Sequence, residues 1–188
     1  MGLPEGMNIY ASYSPRPDGS KNANKGVSGA STAVDGYGYD LVITHSGLVD
    51  GLNVFAGMSE TEQNATIGDR DEWAIGATYA IGSVTVGYQI SEDDNPGVAA
   101  TATDYYENTA YGISFAVNDD LSVSYGRHES DQKADGGTVG LEGDSIQIAY
   151  SVGGASIRLA DTNADNAAYQ TSAAYDKDGR VLSVSLAF

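Results

Sequence analysis

Val181-Leu182-Ser183-Val184-Ser185-Leu186-Ala187-Phe188 closes the chain. Side chains along a strand point alternately to opposite faces. Leu182, Val184, Leu186 and Phe188 therefore share one face, and Val181, Ser183, Ser185 and Ala187 the other. One face is apolar and the other small and mostly polar. A strand that stops on an outward aromatic fits the last strand of a transmembrane β-barrel, with the ring at the membrane interface.

The same alternation returns upstream. Met7 to Tyr13 places Ile9, Ala11 and Tyr13 together. Tyr37 to Ser46 sets Tyr37, Tyr39, Leu41 and Ile43 against Asp40, Val42 and Thr44. Leu52, Val54, Ala56 and Met58 oppose Asn53, Phe55, Gly57 and Ser59, with Phe55 breaking the pattern. Trp73 to Ile81, Val84 to Ser91, Tyr105 to Val117, Leu121 to Gly126, Ser145 to Val152 and Ser156 to Leu159 complete the set. About ten strands of roughly 8–12 residues follow, long enough to cross a bilayer when tilted.

Their connections sort into two kinds. Residues 47–51, Gly82-Ser83, Asn118-Asp119-Asp120 and Gly153-Gly154 turn tightly, whereas 14–36, 60–70, 92–103, 128–143 and 161–178 read as long polar loops. The last of these has a strand-like stretch near Tyr169 to Tyr175. Strict alternation of short and long connections is the habit of an up-and-down membrane barrel, with short periplasmic turns and long external loops. Aromatics on the apolar face fall into two tiers. Tyr79, Phe115, Tyr150 and Phe188 lie near the short turns, and Tyr13, Tyr37, Trp73 and Tyr105 near the long loops. Two interfacial girdles are expected from this placement.

The opposite face is built of Ser, Thr, Gly, Ala, Asn and Gln, with Asp40 and Arg158 as its charged members. A water-soluble barrel would keep its greasy face inside. Here the expectation is inverted: oily residues outside, a hydrated lumen within. By parity, Asp40, Asn53, Gln89, Asn108, Gln147 and Arg158 are candidate pore-lining residues. Arg158 either biases ion passage from the lumen or reaches up to pair with a loop carboxylate.

Composition agrees. The 188 residues hold 24 Gly, 13 Tyr, 4 Pro and no Cys, at a formal charge of −17. That charge excludes nucleic acid as a partner, since phosphate binding needs clustered Lys and Arg. Absent cysteine removes disulfides and thiolate metal sites. No apolar run reaches the eighteen or so residues of a spanning helix. His128, Ser130 and Asp131 are too close in sequence to form a hydrolase triad; no catalytic residues and no cofactor are expected. The acidic stretches 92–95 and 161–166 carry calcium-type oxygens without the spacing of a calcium loop, so Ca2+ there is a minor alternative.

Several stretches together resemble the general-diffusion outer-membrane porins of purple bacteria and related alphaproteobacteria. They are Asn8 to Ser14, Ser46 to Leu52 running into Val54 to Met58, Tyr150 to Ile157, Ala164-Asp165-Asn166, and Leu182 to Phe188. The resemblance implies a sixteen-stranded, trimeric channel in the outer membrane of a Gram-negative bacterium. It would pass small hydrophilic solutes and ions, without catalysis. Residues 1–188 would then be the C-terminal part of that all-β, antiparallel up-and-down barrel, a partial or open barrel of ten strands. The signal peptide and N-terminal strands, with the pore-narrowing loop, would lie outside it. The competing expectation is a β-rich surface or adhesin-type protein that binds partners or cations through its acidic loops.

Overall fold

The computed structural model describes residues 2–15, 37–62, 69–94, 103–134 and 136–186. Ten strands form a single antiparallel sheet in sequence order. They are β1 (Met7–Ser14), β2 (Gly38–Ser46), β3 (Leu52–Thr61), β4 (Arg70–Ile81), β5 (Val84–Asp94), β6 (Thr103–Ala116), β7 (Leu121–Ala134), β8 (Gly137–Val152), β9 (Ala155–Asp165) and β10 (Lys177–Leu186). Each strand pairs with the next, and β1 and β10 each pair on one side only among the described residues. The architecture is the expected up-and-down wall, open rather than closed.

The turns obey local backbone chemistry. Gly153 and Gly154 have φ of 55° and 83°, both positive as a two-residue type I′ hairpin requires. Between β6 and β7, the Asn118 side-chain oxygen accepts hydrogen bonds from the backbone N–H of Asp120 and Leu121 at 2.9 and 2.8 Å. That Asx-type clasp fixes the reversal without glycine.

Register settles the faces. Cross-strand rows such as Leu52, Tyr79, Val86, Ile113, Tyr125 and Ile146 are continuous. The alternate rows carry Asn53, Thr78, Gly87, Gly112, Gly126 and Ser145. No apolar side chain is buried among the described residues. Ile75, Val86, Ile113 and Ile148 are 48, 42, 48 and 45% exposed. Their small polar neighbours are mostly less exposed, which marks the polar face as the crowded, concave one. A water-soluble domain stabilises itself by the reverse arrangement.

Several sequence expectations shift. The stretch 128–143 is a hairpin extension rather than a loop, because β7 and β8 stay paired out to Ala134 and Gly137. Charged and polar residues replace the apolar ones on the convex face there and hide the alternation, while the backbone ladder continues regardless of side chains. Asp161 to Asp165 likewise belongs to β9, and Glu92 to Asp94 to β5. Asp161 and Asp165 share one face but stand four positions, about 13 Å, apart, while Asp93 points to the opposite face from Glu92 and Asp94, so neither set converges. Among the described residues no cluster of three or more carboxylates or histidines could hold a metal ion. The stretch near Tyr169 to Tyr175 is not a strand: it holds two 3-10 turns, Ala167–Tyr169 and Ala173–Tyr175.

Candidate pore wall

Asp40, Asn53, Gln89, Asn108, Gln147 and Arg158 all fall on the concave polar face by register. They do not converge on one point; they are distributed over six strands. Asp40 accepts a hydrogen bond from the Ser12 hydroxyl of the neighbouring strand. Asn108 accepts one from Ser130 at 2.5 Å. Arg158 stands between Ala149 and Ser183, and no carboxylate among the described residues pairs with it. Its side chain is exposed, so the guanidinium projects from the wall.

Phe55, the apparent flaw in the pattern, also sits on this face, opposite Gly76. A Cβ at Gly76 would meet the Phe55 ring at 2.6 Å. The ring occupies the space a side chain at position 76 would take, covering backbone that would otherwise be bare. Next to it a hollow of about 660 Å3 opens along Gly87, Gly112, Gly126 and Gly143. Missing side chains in adjacent strands thus leave the middle of the wall low and smooth.

Three further charged residues belong to this face near the long-loop end. Arg70 bridges Glu72 at 2.5 Å and Asp93 at 2.7 Å. Sequence reasoning missed them because Arg70 lay in a presumed loop and the strands run on beyond their apolar part. A second unforeseen cluster joins Ser130, Asn108, Tyr106 and Tyr169. Ser130 is 2% exposed, and its hydroxyl lies 2.8 Å from that of Tyr169. The Tyr169 ring meets Tyr106 at a centroid distance of 5.2 Å.

The convex face has a border of its own. On β3 and β4 the first outward charges are Glu60 and Asp71, paired in register. On β9 and β10 they are Asp161 and Arg180, also paired, with N···O at 2.7 Å. Asp161 and Arg180 lie on the row that starts at Leu52, eight residues below Glu60. A level border then requires strands tilted by about 40°, taking about 3.3 Å per residue and 4.8 Å per strand. Barrel closure imposes a tilt of that size. Below the border the face is mostly apolar, with His45 an exception; above it, among the described residues, lie Glu92, Glu107, Glu129, Asp131, Glu142 and Asp144 with Arg127, Lys133 and Arg180 as the cations.

Of the residues expected in the aromatic tiers, Trp73, Tyr79, Tyr105, Phe115 and Tyr150 share the convex face by register. Tyr13 stacks on Tyr37 at 6.1 Å. The Glu62 carboxylate, then that of Glu60, raises the Tyr37 phenol above its ordinary pKa. Phe188 lies outside the described residues.

A family model described as Gram-negative porin matches residues 5–141, from just before β1 into β8. No curated protein matches the chain. The match takes in well over half of the sequence, and the sheet it falls on is apolar outside and polar within. The chain belongs to the Gram-negative porin family, β-barrel channel proteins of the outer membrane.

Proposed function

We propose that the protein is a passive channel through which small hydrophilic solutes and ions diffuse across the outer membrane. The observation that carries this reading is the inverted wall, with exposed Ile and Val on the convex side and a surface of mostly Ser, Thr and Gly with few charges on the other. Hydrocarbon accepts the first and water the second. Solutes would meet hydroxyls, amides and backbone with few fixed charges. Passage would then be graded by size, with Asp40 and Arg158 as local biases.

Barrels have no edges in lipid, because unpaired backbone groups there cost several kcal/mol each. The one-sided pairing of β1 and β10 supports a wall completed by further strands; assembly as a homotrimer rests on the resemblance to the purple-bacterial porins alone. The acidity of the long-loop end favours cations over anions. Proteoliposomes containing the full-length protein should swell in isotonic solutions of small sugars, faster for smaller ones. A salt gradient should give a reversal potential of cation-selective sign. Vesicles that stay osmotically tight to every sugar would overturn the channel reading.

A further inference from the structure

The best-buried polar side chain among the described residues is on the wet face of the sheet. Ser130 is 2% exposed although it stands on a concave surface otherwise lined by small, partly open residues. Its cover comes from the connection between β9 and β10. Tyr169 places its hydroxyl 2.8 Å from that of Ser130, which also donates to Asn108. The Tyr169 ring lies against Tyr106, one alternate position above Asn108 on β6.

The connection is built to reach inward. Asn166, Ala168 and Tyr169 have φ of 55°, 57° and 55°, a left-handed conformation that alanine and tyrosine rarely take. Such a conformation persists only where surrounding contacts over-determine it. The contacts here are specific. The Asn166 backbone N–H donates to the Asp176 carboxylate at 3.1 Å, closing the base of the excursion. The Asn166 side chain donates to the Gly140 carbonyl at 2.9 Å, tying it to β8. From Ala167 to Tyr175 the segment reads Ala-Ala-Tyr-Gln-Thr-Ser-Ala-Ala-Tyr, with no charge. The residues that flank it, Asp165, Asp176 and Asp178, are charged; the stretch between them is neutral, and its Tyr169 leans on the wall.

We infer that the β9–β10 connection folds into the mouth of the lumen, where Tyr169 seats it on Ser130, Asn108 and Tyr106 as an uncharged narrowing that selects solutes by size. This rests on the channel reading above. Hydroxyl, amide and methyl groups on the segment exclude by bulk and offer only neutral hydrogen bonds. Removing Tyr169 therefore widens the path for cations and anions alike.

The chain contains no cysteine, so Ser130→Cys introduces a single thiol that reports whether the seat is covered. In the full-length protein in proteoliposomes, a charged methanethiosulfonate reagent should modify that thiol roughly ten times faster once Tyr169→Gly is added. In planar bilayers Tyr169→Gly alone should raise single-channel conductance, by roughly one-and-a-half-fold, with the reversal potential in a salt gradient unchanged. Tyr169→Phe keeps the ring and the fold but loses the hydroxyl, and should fall between. Equal labelling rates with and without Tyr169 would overturn the seating. Faster labelling with unaltered conductance, or a shifted reversal potential, would overturn the uncharged narrowing. Wild-type protein that conducts nothing fails the channel reading itself, and the labelling rates then still decide whether the segment sits on Ser130.

Discussion

Consider a lysine placed at Ile113 and, separately, at its neighbour Ser114. Ile113 is on the convex face, 48% exposed, between Val86 and Tyr125 in register. On β6 the apolar stretch is bounded by Glu107 above and the turn after Val117 below. Ile113 therefore sits close to the middle of the hydrocarbon. A lysine at the midplane of a barrel's lipid face costs about 2–4 kcal/mol, so Ile113→Lys should lower the folding equilibrium constant by about two orders of magnitude. Ser114 points the other way, flanked by Thr85 and Ser124. Water reaches that face and the neighbours are small, so Ser114→Lys should stay within about 0.5 kcal/mol of wild type. Urea titration in lipid vesicles measures both, with gel mobility of the folded barrel and the fluorescence of the single tryptophan, Trp73, as independent probes. Equal losses for the two variants would refute the assignment of faces. A greater loss for Ser114→Lys would reverse it.

Gly76→Val should destabilise by about 2 kcal/mol through collision with the Phe55 ring, and adding Phe55→Ala should recover part of the loss in the same titration. Arg158→Glu replaces the projecting cation with an anion, so the reversal potential in a salt gradient should move toward stronger cation selectivity; an unchanged value would show that the guanidinium lies off the ion path. Asn118→Ala removes the acceptor for two turn amides and should cost about 1 kcal/mol, mostly by speeding unfolding.

Faces and strand number were legible because the period-two pattern is strong wherever one side meets lipid and the other water. Ile146, Ile148 and Tyr150 alternating with Gln147, Ala149 and Ser151 leave no second solution. The pattern disappears above the membrane, where both faces are wet and alternation carries no free energy. Strand ends at Arg70, Asp94, Ala134 and Gly137 were therefore invisible, although their backbone ladders are intact. The pore wall was half legible. Parity put the six candidate residues on one face of the sheet, as the register does, yet parity carries no information about what a connecting segment does. Nothing local marks Tyr169 as a partner of Ser130, thirty-nine positions away. Phe55 was a better clue: a large residue out of pattern opposite a glycine anticipates a ring laid over bare backbone.

The excess of acid poses a different question, because it is concentrated where the strands leave the membrane. Glu60 faces Asp71, which faces Asp94; Glu92 faces Glu107; Glu129 faces Glu142, which faces Asp165. Like charges directly opposite each other in a sheet are destabilising, by about 0.2–1 kcal/mol a pair. Arg127 and Lys133 relieve only part of this, each shared between two carboxylates, and surface pairs of this kind contribute little. The fold is thus held by the lipid-facing band and the backbone ladder, against an electrostatic cost at its outer rim. Screening weakens repulsion between exposed charges once the Debye length falls to roughly 3–10 Å. Raising monovalent salt from about 0.01 to 0.5 M should therefore increase the urea midpoint of the folded protein in neutral-lipid vesicles. Replacing Glu92 and Glu107 by glutamine should raise the midpoint at low salt and flatten its salt dependence. If salt instead lowers stability, the three cations outweigh the repulsion, and the rim would have to be regarded as a stabilising network of ion pairs.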